Sequence, residues 1–219
     1  AGNLDRNPAI WERVTQGTGD EIVYAYRIGP EGAEEGYLVF QQNGAPGTKY
    51  EIAVRDWAAV TPAAARTLWA FLADQRSLGG KVTWQGPATE PLVLLLSEPI
   101  CEAKAPQRWM VRLVDVVRAL EQRGYPHGVE CELHLYVRDE LLPANQGRLI
   151  LRVAQGRGEV HKGGNGDLQT DVRGLAPLYT GYLPPARLKA LGLVDGPAES
   201  LATAARIFAG PEPWMSEMF

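Results

Sequence analysis

The side chains most able to do chemistry in this 219-residue chain are three histidines, two cysteines, a set of carboxylates and two glycine-rich loops. The histidines are His127, His134 and His161, and no pair has the i, i+4 spacing that puts two imidazoles on one face of a metal-binding helix. His134 falls on the polar side of an alternating run and His127 follows Pro126, so surface or structural roles are expected. Glu130, Glu132 and Asp139 would suit acid–base work if gathered in a cleft. As alternate residues on an exposed strand face they read as ordinary solvation. "KGGNGD" has the glycines of a phosphate cradle, but a P-loop needs Lys-Ser/Thr after its last glycine, and here Asp167 and Leu168 follow. A carboxylate there repels phosphate, so the stretch reads as a strand-to-helix turn. No G-x-S-x-G nucleophile elbow is present. Cys101 and Cys131 are too few for a disulfide framework and lack an activating partner, which suggests reduced packing thiols in a cytosolic protein.

The chain end is different. It reads "PEPWMSEMF", placing Trp214, Met215, Met218 and Phe219 where chain ends are usually polar and frayed. Fully buried, each of these side chains would contribute up to roughly 1.5–3 kcal/mol. That is enough to hold a terminus against an ordering cost of about 1–2 kcal/mol per residue. Composition narrows the classes of partner. The chain is 45% hydrophobic and 22% charged, so it folds around a real core. A net charge of -4 with no Lys/Arg cluster argues against nucleic-acid binding. No apolar run approaches the ~20 residues of a membrane span, and "PLVLLLSEP" is the longest.

The elements that would position these residues follow from periodicity. "EIVYAYRI", "YLVFQQ" and "KYEIAVRDWAAV" read as three antiparallel strands joined by hairpins. Thr61 and Pro62 open a helix with Ala65, Leu68, Trp69 and Leu72 on one face, ended by the glycines of "LGG" at 78–80. "KVTWQG" and "PLVLLL" follow as strands, the second expected to be buried on both faces. Pro99 and Pro106 flank an aperiodic stretch, which puts a junction between domains of residues 1–104 and 105–219. Beyond it "RWMVRLV" reads as a strand. Asp115 caps a short helix closed by Gly124. "VECELHLYVRD", "RLILRVAQG" and "GEVHKG" are strands, and helices are expected near 170–180, 185–191 and 198–209. The fold class is α+β, with a mixed sheet and helix followed by a sheet covered by late helices.

Three ordered stretches of the second half, "WMVRLVDVVRALEQRGYP" (109–126), "LLPANQGRLILRV" (141–153) and "DLQTDVRGLAPLYTGYLPPARLKALGLV" (167–194), with the terminal Phe219, resemble the C-terminal module of the Eis-like (enhanced intracellular survival) N-acetyltransferases. "VRDWAAVTPAAARTLWAFLADQRSLGGKVTW" in the first half resembles that family's middle module more loosely. The resemblance implies a degenerate GNAT-like domain followed by a sterol carrier protein-like domain. It implies that an N-terminal GNAT domain of the same protein would be the partner that binds acetyl-CoA, so that this fragment does not bind it. It further implies a cationic amine substrate of the aminoglycoside or lysine type, no metal, and a homo-oligomer. The GNAT pyrophosphate loop, Arg/Gln-x-x-Gly-x-Gly/Ala at a helix N-terminus, has no convincing match. "TQGTGDE" at 15–21 precedes a strand and carries two acids. Carried onto this sequence, the family's mechanism makes the terminal carboxylate of Phe219 the general base, with Glu217 and Trp214 as substrate-binding candidates. Three other readings stand beside it: a tail that packs on its own domain, a lipid- or sterol-carrying module without catalysis, and a purely structural assembly module.

Overall fold

A computed structural model of the chain describes residues 6–17, 19, 21–44, 49–98, 100–104 and 108–215. These form two compact units, one of Gly2–Lys104 with Trp214–Phe219 and one of Ala105–Pro213. Each has a mixed sheet with helices, the expected fold class.

In the first unit, helix α1 (Pro8–Thr15) starts where the Asn7 side chain accepts from the Ile10 amide at 3.0 Å and Pro8 needs no hydrogen-bond acceptor. Sequence reasoning gave no helix here. Strands β1 (Val23–Ile28), β2 (Gly36–Asn43) and β3 (Tyr50–Ala59) form the antiparallel meander. Helix α2 (Pro62–Asp74) then crosses over to β4 (Gly79–Thr83), which lies parallel to β3. Thr61 caps α2 as expected, its Oγ1 accepting from Ala64 N at 3.1 Å. The core is small: Leu38, Phe40, Ile52, Leu68, Leu72 and Leu92.

Two expectations for this unit fail. Helix α2 ends at Asp74, and Gly79 and Gly80 instead open β4. A Cβ at Gly79 would meet the Gln75 carbonyl oxygen at 2.9 Å, so the glycine serves close backbone approach and not a left-handed cap. "PLVLLL" is a 3-10 turn over Pro91–Leu95 with Leu94 82% exposed. The Glu90 carboxylate caps Leu92 N at 3.0 Å, and the Trp69 indole takes the Leu92 carbonyl at 2.9 Å. Those groups are therefore not free for a strand ladder.

The second unit contains α3 (Val116–Gln122), β5 (Cys131–Arg138), β6 (Gly147–Ala154), β7 (Arg157–Lys162), β8 (Leu168–Asp171), α4 (Val172–Thr180), α5 (Pro185–Ala190), β9 (Val194–Asp195) and α6 (Ala198–Ile207). The sheet order is β7-β6-β5-β8-β9, with β5 and β8 parallel. Leu133, Leu135 and Val137 of β5 face the helices, as the alternation demands. Asp115 caps α3 and Asp171 caps α4, each side chain accepting backbone amides at 2.9 Å. Gly181 closes α4 at φ 74°, where a residue with a Cβ would be strained.

Here too the structure corrects the sequence reading. "RWMVRLV" has no strand; Met110 is 99% exposed. The Asn145 amide reaches the Leu113 and Val114 carbonyls at 3.5 and 3.3 Å, occupying acceptors that a ladder would use. Helix α3 closes on Arg123 in an extended conformation, not on Gly124. The glycine loop after β7 leads into another strand, β8, so it is a strand-to-strand turn. The short β8 and β9 carried too little pattern to be read.

Candidate functional site

The conspicuous polar residues of the second unit are committed to structure. His134 is bonded at both ring nitrogens. Glu132 lies 2.6 Å from Nε2, and the Asn165 amide donates to Nδ1 at 3.1 Å. A histidine whose Nδ1 accepts and whose Nε2 faces a carboxylate has no free lone pair for base catalysis. Glu132 also receives Arg152 Nε at 2.5 Å; the Arg152 and His134 side chains hold its carboxyl below the usual range. The rest of the sequence's acid set divides. Asp139 is not on the exposed face; it is buried, 2% exposed. It accepts from Asn145 Nδ2 at 2.9 Å, from the Leu141 and Leu142 amides at 3.0 Å each, and from Arg112 at 2.7 Å. The Asn145 donation leads these in holding its carboxyl down at about 2. Asn145 Oδ1 accepts from Val116 N at 2.9 Å, so the pair ties the start of α3 to the loop after β5. Cys131 packs against the core and burial pushes its thiol up, whereas Cys101 is exposed and not a packing residue. His161 is exposed beside Glu159. Among the described residues, no three His, Cys, Asp or Glu side chains gather as a metal site requires. No described helix is long and apolar enough to cross a membrane.

The cleft belongs to the first unit. It has a volume of about 440 Å³ beside Trp11, Tyr37, Trp57, Trp84 and Trp214, with Arg6, Arg55, Asp56 and Glu90 supplying two charges of each sign. Local structure explains how these residues meet. The register of β2 against β3 breaks between Val39 and Phe40, whose partners are Asp56 and Val54, leaving Arg55 as the bulged residue. Arg55 reaches the Arg13 carbonyl at 2.7 Å and the Gln16 carbonyl at 3.2 Å, at the C-terminal end of α1. A cation there is favoured by the helix dipole, and it fixes α1 against β3. That placement brings Trp11 edge-on to Tyr37, ring centroids 5.9 Å apart.

Charge inside the cleft is balanced and ordered. Asp56 is ion-paired with Arg6 and accepts the Tyr37 hydroxyl at 2.6 Å. The Arg6 guanidinium also lies 4.9 Å over the Trp11 ring. Burial, aided by Asp56, pushes the Tyr37 phenol up to about 12, so it stays a neutral donor at physiological pH. Glu90 accepts the Trp84 indole N–H at 3.2 Å while capping Leu92, and Trp84 stands edge-on to Trp69 at 5.9 Å. A cleft walled by indoles and carrying carboxylates has the chemistry to hold an organic cation.

The N-terminus of α2 follows the sheet's third strand, the place where a GNAT fold would hold a coenzyme A pyrophosphate. Its residues do not fit that group. Thr61 Oγ1 already takes the Ala64 amide, Pro62 has no N–H, and the Glu35 carboxylate accepts from Thr61 Oγ1 at 2.5 Å. A pyrophosphate would lose donors and meet a negative charge.

Of the three site residues expected from sequence, Trp214 is half-buried on the cleft wall, and Glu217 and Phe219 lie outside the described residues. Sequence reasoning missed Arg6, Trp11, Tyr37, Asp56 and Glu90. The one sequence feature that marks them is tryptophan: four of the chain's six line this cleft.

Comparison with known proteins agrees with this layout. The profile of the acetyltransferase (GNAT) domain matches residues 2–113, and that of the sterol carrier protein domain matches residues 116–216. An uncharacterized N-acetyltransferase of Streptomyces griseus is 35% identical over 172 residues, 76% of this chain and 40% of its own length. A GCN5-related N-acetyltransferase from Anabaena variabilis superposes with a TM-score of 0.93 at 44% identity, covering 100% of this chain and 56% of that one. Eis1 from Mycobacterium abscessus superposes at 0.68 with 27% identity, over 84% of this chain and 48% of its own. The chain thus spans about half the length of the relatives it matches. It belongs to the GNAT-family N-acetyltransferases of the Eis-like kind, carrying a GNAT domain followed by a sterol carrier protein domain.

Proposed function

We propose that this chain is the amine-binding, cofactor-free part of an N-acetyltransferase that moves an acetyl group from acetyl-CoA to a cationic amine of the aminoglycoside or lysine type. One observation carries the reading: Trp214, from the chain end, lines the cleft of the GNAT unit, beside three more indoles and the carboxylates Asp56 and Glu90. A protonated amine is attracted by aromatic faces and by carboxylates that line a cleft. Asp56 is neutralised by Arg6, so Glu90 is the carboxylate with capacity left for substrate. The acetyl donor is held elsewhere, on a second GNAT domain of the longer protein, because the α2 N-terminus here is closed by Thr61, Pro62 and Glu35.

The base is the terminal carboxylate of Phe219. At a reference pKa of about 3.5 it is ionised at neutral pH. It takes the proton the amine must lose before its lone pair attacks the acetyl carbonyl. In the longer protein, converting the Phe219 terminal carboxylate to its amide lowers kcat by about 10²-fold or more, the usual size of a general-base contribution. The KM for acetyl-CoA stays unchanged. An unaltered kcat would remove the base from the mechanism. The chain by itself transfers no acetyl group; turnover by it alone would show that a cofactor site lies within these residues. Leu135, Leu151, Leu168, Leu175, Leu188 and Ile207 fill the interior of the sterol carrier unit.

A further inference from the structure

We propose that the open edge of β3 takes an extended peptide as an added strand. The cleft lies along that edge. Val54, Arg55, Asp56, Trp57 and Ala58 all line it. Successive side chains of a strand point to opposite faces of the sheet, so a space reached by five residues in a row lies at the strand's edge. The pairing shows why the edge is open. Strand β3 pairs with β2 from Glu51 to Ala59, but with β4 only from Tyr50 to Ala53. Past Thr83 the chain leaves the sheet. Trp84 turns to bond Glu90, and with Gln85, Pro87 and Pro91 it forms the far wall.

Register tells which backbone groups face the gap. Val60 N donates to the Glu35 carbonyl at 2.8 Å, and Ala59 and Ala58 lie opposite Gly36 and Tyr37. Bonded and non-bonded pairs alternate along an antiparallel ladder. Ala58 therefore turns its N–H and C=O towards β2, whereas Trp57 and Ala59 turn theirs towards the gap. Among the described residues, nothing bonds to the Trp57 or Ala59 main chain on that side. Two residues apart, these groups repeat a donor and an acceptor every ~6.6–6.8 Å. An extended polypeptide carries its own amides at that repeat, and a sugar does not, so the occupant that matches the edge is a peptide. Trp57 and Trp84 offer apolar surface for its alternate side chains, and Glu90 a carboxylate for a basic one. A cleft of about 440 Å³ holds a short stretch of chain and not a domain. The strand site shares its cleft with the proposed amine site but rests on main-chain groups, so the two readings fail separately.

The probe is the blocked peptide acetyl-Thr-Val-Lys-Val-Thr-amide, titrated into the chain by indole fluorescence. Two versions are compared, one N-methylated on both valine amides and one on the lysine and both threonine amides. A strand pairs through one edge only, so one version is expected to bind at least tenfold more weakly and the other like the parent peptide. The parent peptide should also slow hydrogen exchange at the Trp57 and Ala59 amides at least tenfold and leave Ala58 unchanged. No saturable binding, equal effects of the two methylation patterns, or unchanged exchange at both amides overturns the proposal. Slow exchange at both amides that depends on protein concentration without peptide assigns the edge to a second copy and also overturns it. Replacing the lysine by norleucine separates the readings. If affinity and the methylation asymmetry persist, the strand site holds and the amine reading is lost. If an aminoglycoside binds and no peptide does, the amine reading stands and the strand site falls.

Discussion

The two units use their side chains in opposite ways. Among the described residues, the sterol carrier unit gathers twenty buried ones into one cluster around β5, β6 and the late helices, whereas the GNAT unit gathers six. Its polar residues are also closed upon themselves. In the sterol carrier unit Asp139 accepts from both Asn145 and Arg112, and Arg123 has its guanidinium on the Tyr179 and Phe208 carbonyls, within 5.9 Å of three aromatic rings. The GNAT unit leaves a cleft of about 440 Å³ and lines it with aromatic rings and charge. The difference teaches that a carboxylate or histidine marks a site only where space remains beside it. The unit richer in catalytic residue types is the scaffold, and the unit that reads as an ordinary meander holds the cleft.

The sharpest way to break this contrast is to open the scaffold. Leu135→Ala at the centre of β5, where the side chain is wholly buried, is expected to cost about 2–5 kcal/mol in denaturant unfolding. An equal loss from Tyr37→Phe at the cleft would erase the distinction between the units. Asn145→Ala comes next. It strips Val116 N of its acceptor and Asp139 of its leading donor, with an expected loss of about 1–3 kcal/mol. Thr61→Ala removes the α2 cap and should cost about 1 kcal/mol. It should still not admit acetyl-CoA, because Pro62 and Glu35 remain.

The pH dependence is smaller and has a definite sign. The Asp139 carboxyl is depressed from 3.8 to about 2 in the folded unit, so its contribution is present above pH 4 and is lost as pH falls towards 2. Urea midpoints compared at pH 5 and pH 2.5 should differ less in Asp139→Asn than in the parent. The Tyr37 phenol is raised from 10.0 to about 12, so its contribution persists below pH 10 and disappears as pH rises through 12. Ultraviolet titration should show one phenol ionising late, and Tyr37→Phe should remove it.

Much of the scaffold was legible because the deciding interactions are local. Thr61–Pro62, Asp115 and the alternation of Leu133, Leu135 and Val137 specify their own surroundings within a few residues. The two apolar runs that fail as strands are decided from far away, "PLVLLL" by Trp69 and "RWMVRLV" by Asn145, 31 and 32 positions from Val114 and Leu113. Only Trp214 of the cleft was legible. Its other residues come from 6–11, from 37, from 54–58 and from 84–91, and they meet through a bulge at Arg55 that no periodicity announces.

The central claim is that this chain holds the amine and not the acetyl donor. Calorimetric titration of the chain with an aminoglycoside and, separately, with acetyl-CoA tests it most directly, with indole fluorescence followed in parallel. The account predicts heat and a fluorescence change from the aminoglycoside, both weakened in Glu90→Gln, and neither from acetyl-CoA. Saturable acetyl-CoA binding with no response to the amine would contradict it.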